Sequence, residues 1–190
     1  MSLIRNHFEI IDQPLGDLKL IQRSHIEDSR GFFSRIFCAE ELLEAGRNEG
    51  IAQVNQTYTI KTGTVRGLHF QWPPYAEAKL VTCTKGAVWD VVVDLRAGSA
   101  TFLNWHAVHL SEKNCASLVI PKGFAHGFQT LIDNTQMIYC HSTIYDSKYE
   151  GAINAMDPKI NIHWPIPIIN VSERDLGHQM LDEKFKGLSL

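Results

Sequence analysis

The sequence has no long hydrophobic run and no cluster of basic residues. No apolar stretch approaches the roughly 18 residues that a membrane-spanning helix needs, and the N-terminus lacks the pattern of a secretory signal. A net charge of -3 without a basic patch argues against nucleic acid as a partner. We therefore expect a protein that neither crosses a membrane nor binds nucleic acid.

Cysteine is scarce and widely spaced. Cys38, Cys83, Cys115 and Cys140 form no Cys-x-x-Cys pair, and with no export signal they predict reduced thiols in a cytoplasmic protein. Internal repeats, low-complexity segments and linkers are also missing, so residues 1–190 are expected to form a single domain.

Short apolar runs separated by turn residues predict an all-β barrel or sandwich. The expected strands lie at 8–11, 18–21, 51–60, 65–71, 78–85, 87–95, 101–110, 117–120, 125–132 and 135–145. The segment Ala39 to Ala45, followed by Gly46, is the one clear helical pattern. The last forty residues carry Pro158, Pro165 and Pro167, which predicts loops and a short helix against the barrel.

The segment 66–79 concentrates polar side chains on a strand that ends at two prolines. On that strand His69 faces the side opposite Leu68 and Phe70, and Lys79 begins the next apolar run. A histidine on one strand and an ammonium on the next are a plausible catalytic pair. They are an equally plausible pair of hydrogen-bonded surface residues.

Three further groups could carry chemistry. His126 follows a Pro-x-Gly turn, Tyr139 lies in an apolar strand, and Asp175 closes the stretch Ser172-Glu173-Arg174-Asp175. Each has a structural alternative: a satisfied core histidine, a core tyrosine with a bonded hydroxyl, and a helix start capped by Ser172.

Metal binding is the most serious rival to proton-transfer chemistry. His69, His126, Gln71 and Glu77 offer ligands of the kinds that zinc, iron or manganese accept. Against this, the strand carries His-x-Gln and not His-x-His, and a glutamine carbonyl is the weaker ligand. The hypothesis would make the protein a metal-dependent cupin isomerase or dioxygenase.

Together these stretches resemble the dTDP-4-dehydrorhamnose 3,5-epimerase family, metal-free cupins that act on nucleotide-linked 4-keto-6-deoxy sugars. The resemblance runs roughly from Leu18 to Asp175, with the motifs in the family's order. They are Asp28-x-Arg30-Gly31-Phe32-Phe33, Gln53-x-Asn55, Arg66-Gly67-Leu68-His69-Phe70-Gln71, Lys79-Leu80-Val81, Asp90-Val91-Val92-Val93-Asp94-Leu95-Arg96, Ile120-Pro121-x-Gly123-Phe124-Ala125-His126-Gly127-Phe128, Tyr139, Glu150-Gly151, Trp164-Pro165 and Ser172-x-x-Asp175. Each motif alone is weak, whereas their shared order is specific.

The resemblance implies a cupin-type jelly roll and a set of catalytic roles. His69 would be the general base, oriented by Asp175, because an imidazole near neutral pKa both takes and gives protons. Tyr139 would return a proton from the opposite face, and Lys79 would neutralise the charge on the C4 oxygen of an enolate. Such a reaction at a carbon beside a ketone requires no cofactor and no metal.

The resemblance also implies the substrate contacts and the assembly. Arg66, His126 and Arg174 would meet the pyrophosphate and the sugar, and Gln53, Asn55 and Glu150 would make further contacts. The family is a homodimer whose N-terminal segments reach the partner's site. Arg30 and Phe33 would therefore contact the nucleotide bound by the neighbouring subunit.

Strict alternation on a strand would place Arg66 on the face opposite His69. If both side chains face one pocket, Gly67 is expected to mark a bulge or a kink between them.

The sequence departs from the family pattern at three positions. Arg35 stands where a glutamate is usual, and Arg174 and Cys140 stand where lysines are usual. The nucleotide is accordingly less well determined than the reaction: dTDP leads, with CDP and GDP as alternatives. Epimerisation at C3, at C5 or at both stays open, as does a catalytically idle sugar-binding barrel.

Overall fold

The computed structural model describes residues 7–190, so the first six residues of the expected domain lie outside it. The first half contains β1 (Phe8–Leu15), β2 (Leu18–Arg23), β3 (Ile26–Asp28), β4 (Gly31–Phe33), β5 (Gln53–Thr59), β6 (Thr64–Gln71), β7 (Lys79–Lys85) and β8 (Ala87–Asp94). The second half contains β9 (Trp105–Ser111), β10 (Ala116–Ile120), β11 (Phe124–Thr130), β12 (Thr135–His141), β13 (Glu150–Ala152), β14 (Asn170–Val171) and the helix α1 (Glu173–Leu176). In the range 7–190, no helix is long and apolar enough to cross a membrane.

Two large sheets form the body of the molecule, as a cupin-like jelly roll. The first sheet has the strand order β1-β2-β10-β7-β12-β5, and the second has the order β13-β6-β11-β8-β9 with β14 parallel to β6. The strands β3 and β4 form a separate hairpin. The predicted all-β class is therefore confirmed.

The second sheet is covered on both faces, which explains its long apolar strands. On β8, Val88 and Val92 belong to the core between the two sheets. Val91 and Val93 point to the other face and pack with Ile160 and other residues of the C-terminal segment. The C-terminal segment thus wraps the barrel as loops and one short helix, as predicted.

Three predicted elements differ in extent from the structure, and one of them is the strand expected at 135–145, which ends at His141. The segment 39–45 forms only the 3-10 helix Glu41–Leu43, and no side chain caps its N-terminus. So short a helix is not stable alone and is held by tertiary contacts, here those of the buried Leu42. Residues 101–104 form a turn and not the start of a strand. The buried Asp94 carboxylate accepts hydrogen bonds from the Ser99 and Thr101 hydroxyls and so holds the chain in that turn.

The bulge expected at Gly67 is present. In the pairing of β6 with β11, His69 lies opposite His126 and Arg66 opposite Phe128, so two residues of β6 face one of β11. Gly67 has a φ of 117°, and a Cβ there would lie 2.5 Å from the Cα of Gly127. The bulge turns Arg66 and His69 toward the same cavity.

We predict that Gly67→Ala lowers the free energy of unfolding by about 3 kcal/mol or more, since a side chain there combines a left-handed backbone with overlap against β11. Urea unfolding of the variant measures this. Gly50→Ala is the matched control, because no atom lies within 4 Å of the added Cβ. Equal stability of the two variants would show that the bulge does not require glycine.

Candidate active site

A cavity of about 420 Å³ lies between the two sheets. Its walls come from β5, β7 and β12 of the first sheet, from β6, β11 and β13 of the second, and from the segment around α1. Ten of the twelve predicted site residues line it: His69, Asp175, Tyr139, Lys79, Gln53, Asn55, Arg66, His126, Glu150 and Arg174. The remaining two, Arg30 and Phe33, belong to the β3–β4 segment and do not line it.

His69 and Asp175 form a dyad at one wall of the cavity. His69 Nε2 lies 2.7 Å from Asp175 Oδ1, and a carboxylate only accepts hydrogen bonds, so Nε2 carries the proton. The Gly67 amide donates to Asp175 Oδ2 over 3.3 Å, and Ser172 caps α1 by accepting from the Asp175 amide. The N-cap predicted for Ser172 is thus the device that aims Asp175 at the histidine.

The environment keeps the Asp175 carboxyl ionised. Burial alone would raise the pKa of Asp175, but the hydrogen bond and charge of His69 and the Gly67 amide lower it overall. With Nε2 bound to this carboxylate, Nδ1 is the ring nitrogen that can exchange a proton with a molecule in the cavity.

Tyr139 projects into the cavity from β12, which belongs to the other sheet. Its hydroxyl lies 3.1 Å from Thr57 Oγ1 on the neighbouring strand β5. Burial raises the pKa of Tyr139, so the phenol keeps its proton at neutral pH. The side chain therefore has a proton to give, on the wall opposite His69. Thr57 was not identified from the sequence.

Lys79 is buried in the wall of the cavity, between the carboxylate of Glu77 and the backbone carbonyl of His69. Its Nζ lies 3.0 Å from Glu77 Oε1 and donates to the backbone oxygen of His69 over 3.1 Å. Glu77 in turn lies 3.4 Å from His141 Nδ1 and accepts from the Gln71 amide. Burial alone would raise the pKa of Glu77, but the hydrogen bond and charge of His141 and the charge of Lys79 lower it to about 2.

His141 was not predicted as a site residue from the sequence, and Glu77 was predicted only as a metal ligand. A signal existed for both: residues two apart on an extended chain share a face. Glu77 precedes Lys79 by two positions, and His141 follows Tyr139 by two.

His126 is paired with Asp90, which was not predicted as a site residue from the sequence. Its Nε2 lies 3.0 Å from both carboxylate oxygens of Asp90 on the adjacent strand β8. Both residues are buried, yet His126 lines the cavity. His126 is therefore both a satisfied buried histidine and a wall of the site.

Polar and basic groups surround the mouth of the cavity. Arg174 forms an ion pair with Glu150, which also accepts from the Tyr145 hydroxyl over 3.0 Å. Arg66 donates from Nε to Thr59 Oγ1 over 3.0 Å and is partly exposed. The two guanidinium groups make this rim suited to an anion. Tyr145 was not predicted as a site residue: the expected strand ran to residue 145, whereas β12 ends at His141 and Tyr145 lies in the loop that follows.

Arg35, the departure noted in the sequence, does not line this cavity. It forms an ion pair with Glu41 and lies 3.2 Å from His7 Nδ1. Its guanidinium is thus engaged in joining the N-terminal strand region to the 3-10 helix.

The residues of the metal ligand set suggested by the sequence line one cavity, but within residues 7–190 its histidines and glutamate do not form a close group of three. His69, Glu77 and His126 bond to Asp175, Lys79 and Asp90 respectively. A different group of three potential ligands lies close together within residues 7–190, namely His69, Asp175 and His178.

We predict that the stabilising contribution of Glu77 disappears in acid. Its pKa in the folded protein lies below the ordinary 4.5, so the contribution is present above that value and is lost as the pH falls toward 2. At neutral pH Glu77→Gln should cost about 3 kcal/mol, and the difference from the unsubstituted protein should shrink by about pH 3. Urea unfolding across this pH range measures it, with the exposed Glu9→Gln as control. A difference that does not change with pH would contradict the assignment.

Comparison with known proteins agrees with this architecture. The model of the dTDP-4-dehydrorhamnose 3,5-epimerase family matches residues 12–183. A dTDP-4-dehydrorhamnose 3,5-epimerase of Sinorhizobium fredii is 39% identical over 170 residues, which cover 89% of this chain and 87% of that protein. A dTDP-4-dehydrorhamnose 3-epimerase of Streptomyces niveus is 37% identical over 157 residues, 82% of this chain and 75% of that protein.

A solved structure is similar along nearly the whole chain. It is a dTDP-6-deoxy-D-glucose 3,5-epimerase of Legionella pneumophila in complex with dTDP-4-keto-L-rhamnose. The TM-score is 0.89 at 34% identity, and the match covers 97% of this chain and 100% of that one. The chain belongs to the dTDP-4-dehydrorhamnose 3,5-epimerase family.

Proposed function

We propose that the protein epimerises C3, C5 or both of a nucleotide-linked 4-keto-6-deoxyhexose through an enolate. The leading substrate is dTDP-4-dehydro-6-deoxy-D-glucose, with dTDP-4-dehydro-L-rhamnose as product. One observation carries the proposal: the histidine of a histidine–aspartate dyad on one sheet and a protonated tyrosine on the other sheet face a single cavity. Inversion requires removal and return of a proton on opposite faces of the same carbon.

The reaction follows from these positions. His69 Nδ1 takes the proton from the carbon beside the ketone, and Asp175 stabilises the imidazolium that forms. The electron pair moves into the enolate, whose negative C4 oxygen is stabilised by the Lys79 ammonium. Tyr139 donates its proton to the opposite face of the carbon and regains one from solvent, while His69 releases its proton. None of these reaction steps uses a cofactor.

The basic rim supports a diphosphate-linked substrate. Arg66 and Arg174 can make charge-assisted hydrogen bonds to phosphate oxygens, and His126, Gln53, Asn55 and Glu150 would contact the sugar and nucleotide. The dTDP sugar bound by the Legionella relative favours dTDP over CDP or GDP. The Streptomyces niveus relative is named a 3-epimerase, so a single inversion at C3 is the alternative outcome.

A homodimer with exchanged N-terminal segments is part of the proposal. Phe32 and Phe33 are 64% and 57% exposed on the β3–β4 hairpin, and Arg30 pairs only with its neighbour Asp28 among the described residues. Exposed neighbouring aromatics are typical of a surface that another chain covers. Placed over the partner's cavity, Arg30 and Phe33 would contact its nucleotide.

We also propose a cytoplasmic location. The thiols of Cys38, Cys83, Cys115 and Cys140 are all free, as expected in a reducing compartment. Cell fractionation tests this directly, and recovery from an oxidising compartment would contradict it.

Proton NMR of dTDP-4-dehydro-6-deoxy-D-glucose in D2O should show loss of the H3 signal, the H5 signal or both. His69→Asn should slow this exchange by about a thousandfold, because the general base is removed. His109→Asn, an exposed histidine on β9, is the control. Binding without exchange in the unsubstituted protein would identify an idle sugar-binding barrel instead. Undiminished exchange in His69→Asn would refute the mechanism.

Tyr139→Phe should separate exchange from inversion. His69 still removes the proton in this variant, but the opposite-face donor is missing, so deuterium enters while the configuration at the affected carbon is retained. NMR couplings of the product distinguish the two outcomes. Tyr58→Phe, an exposed tyrosine on β5, is the control. Unimpaired inversion in Tyr139→Phe would assign the second proton to another group.

Mixing two inactive variants tests the exchanged segments. One carries His69→Asn, and the other carries Arg30→Ala with Phe33→Ala. If segments are exchanged, the mixed dimer contains one site with an intact dyad and an intact segment, so turnover returns. Each variant remixed with itself is the control. Absence of recovery, with heterodimers verified by mass, would place the segment over its own site.

A further inference from the structure

His178 presents an unsatisfied buried nitrogen to the catalytic dyad. Its Nε2 is buried and has no hydrogen-bond partner within residues 7–190, and it lies 3.9 Å from Asp175 Oδ1. Its ring stands edge-to-face to His69 with the ring centroids 6.2 Å apart. A buried imidazole nitrogen without a partner is costly, which points to a ligand that completes it.

The backbone at His178 is held in place by hydrogen bonds from a buried side chain. His178 follows α1, and the buried Asn154 donates from Nδ2 to the backbone oxygens of Leu176 and His178. Asp175 is held separately by the Gly67 amide and by Ser172. Three potential ligand atoms, one each from His69, Asp175 and His178, thereby lie within 4.8 Å of one another.

We propose that His69, Asp175 and His178 bind a Zn²⁺ ion, and that this ion inhibits the enzyme. Two imidazole nitrogens and one carboxylate oxygen are a common zinc ligand set, with water as the fourth ligand. Oδ1 already lies 2.7 Å from the His69 nitrogen and 3.9 Å from that of His178, so small side-chain rotations complete the site. An ion reaches the site from the cavity through His69, whose side chain lines the cavity and is 36% exposed, whereas His178 Nε2 is buried.

The local charge favours a cation. Asp175 supplies a carboxylate, and the neighbouring Arg174 guanidinium is paired with Glu150. The site shares only His69 with the ligand set considered from the sequence, which also used Gln71, Glu77 and His126. Two of its residues, His69 and Asp175, line the cavity, whereas His178 does not.

Inhibition follows from the tautomer of His69. In the metal-free dyad the ring proton is on Nε2, and the lone pair of Nδ1 is free to act as base. Zinc takes the lone pair of Nε2, so the proton that Nε2 carried must move to Nδ1. The nitrogen facing the substrate is then protonated, and zinc withdraws electron density from the ring. The dyad can no longer accept a proton from carbon.

The binding claim stands independently of the proposed function, whereas the inhibition claim rests on it. The first measurement is therefore equilibrium dialysis of the full chain, stripped with chelator, against Zn²⁺ at neutral pH. One tightly bound ion per chain is expected. His178→Gln and His178→Phe should each weaken binding about tenfold or more, since both lack the imidazole ligand. His109→Gln, which removes an exposed histidine on β9, should bind as the unsubstituted protein does.

A spectroscopic signature locates the ion. Co²⁺ substituted for zinc should give visible d–d absorption of a low-symmetry site in the unsubstituted protein and in His109→Gln, but not in the His178 variants. Equal zinc affinity in the His178 and His109 variants, or no bound zinc at all, would overturn the proposal.

Activity then tests inhibition, with each variant compared with its own metal-free rate in the D2O exchange assay. Zinc should suppress exchange in the unsubstituted protein and in His109→Gln, and chelator should restore it. The His178 variants should require about tenfold more zinc or higher. Activation by zinc would overturn the inhibitory role of the ion but would not contradict the binding site itself. An enzyme inactive toward every nucleotide sugar, yet binding zinc through His178, would contradict only the proposed function.

Discussion

The hydrogen bond between His69 and Asp175 depends on most of the architecture. It joins residues that are 106 positions apart, one on β6 and one on α1. The bulge at Gly67 turns His69 toward the cavity, and the amide of the same glycine holds the second oxygen of Asp175. The C-terminal segment must therefore cross the second sheet for the site to exist. Its apolar packing on Val91 and Val93 secures that crossing.

The cavity repeats one electrostatic arrangement three times. His69 pairs with Asp175, Lys79 with Glu77, and His126 with Asp90. A buried or half-buried ionisable group is stable only when an opposite charge or a hydrogen bond replaces water. These carboxylates keep the cation-forming groups in place without solvent. The basic rim, by contrast, has one guanidinium paired with Glu150 and another held by Thr59, both within reach of an incoming anion.

His178 adds a second imidazole to one of these carboxylates. In the metal-free state its inner nitrogen has no described partner, although the backbone that carries it is fixed by Asn154. The His69–Asp175 pair and the adjacent nitrogen of His178 together provide two imidazoles and one carboxylate, which is the ligand set of the proposed zinc site, without any change to the fold. Asp175, which would orient the base in the proposed mechanism, would then also bind the ion that inhibits it.

Local patterns in the sequence indicated ten of the strands, the turns and the ordered motifs of this family, but not the short strands β3, β4, β13 and β14. Alternation and turn chemistry act between neighbouring residues, so they can be recognised without coordinates. The bulge at Gly67 was also predictable, because Arg66 and His69 differ by an odd number of positions. The extent of the helix at 39–45 was not predictable in this way: its composition favours a helix, but the structure has only Glu41–Leu43, with no side-chain hydrogen bond at the N-cap.

Tertiary structure alone decided the partners of the charged groups. Asp90, His141 and His178 carry no motif that links them to His126, Glu77 or Asp175, because those contacts join different strands and loops. Pairing across strands depends on register and on which sheet each strand enters, and neither is encoded over a short window. The sequence by itself therefore determined which side chains are candidates for proton transfer. The packing of two sheets and one C-terminal segment decided which groups stand beside them.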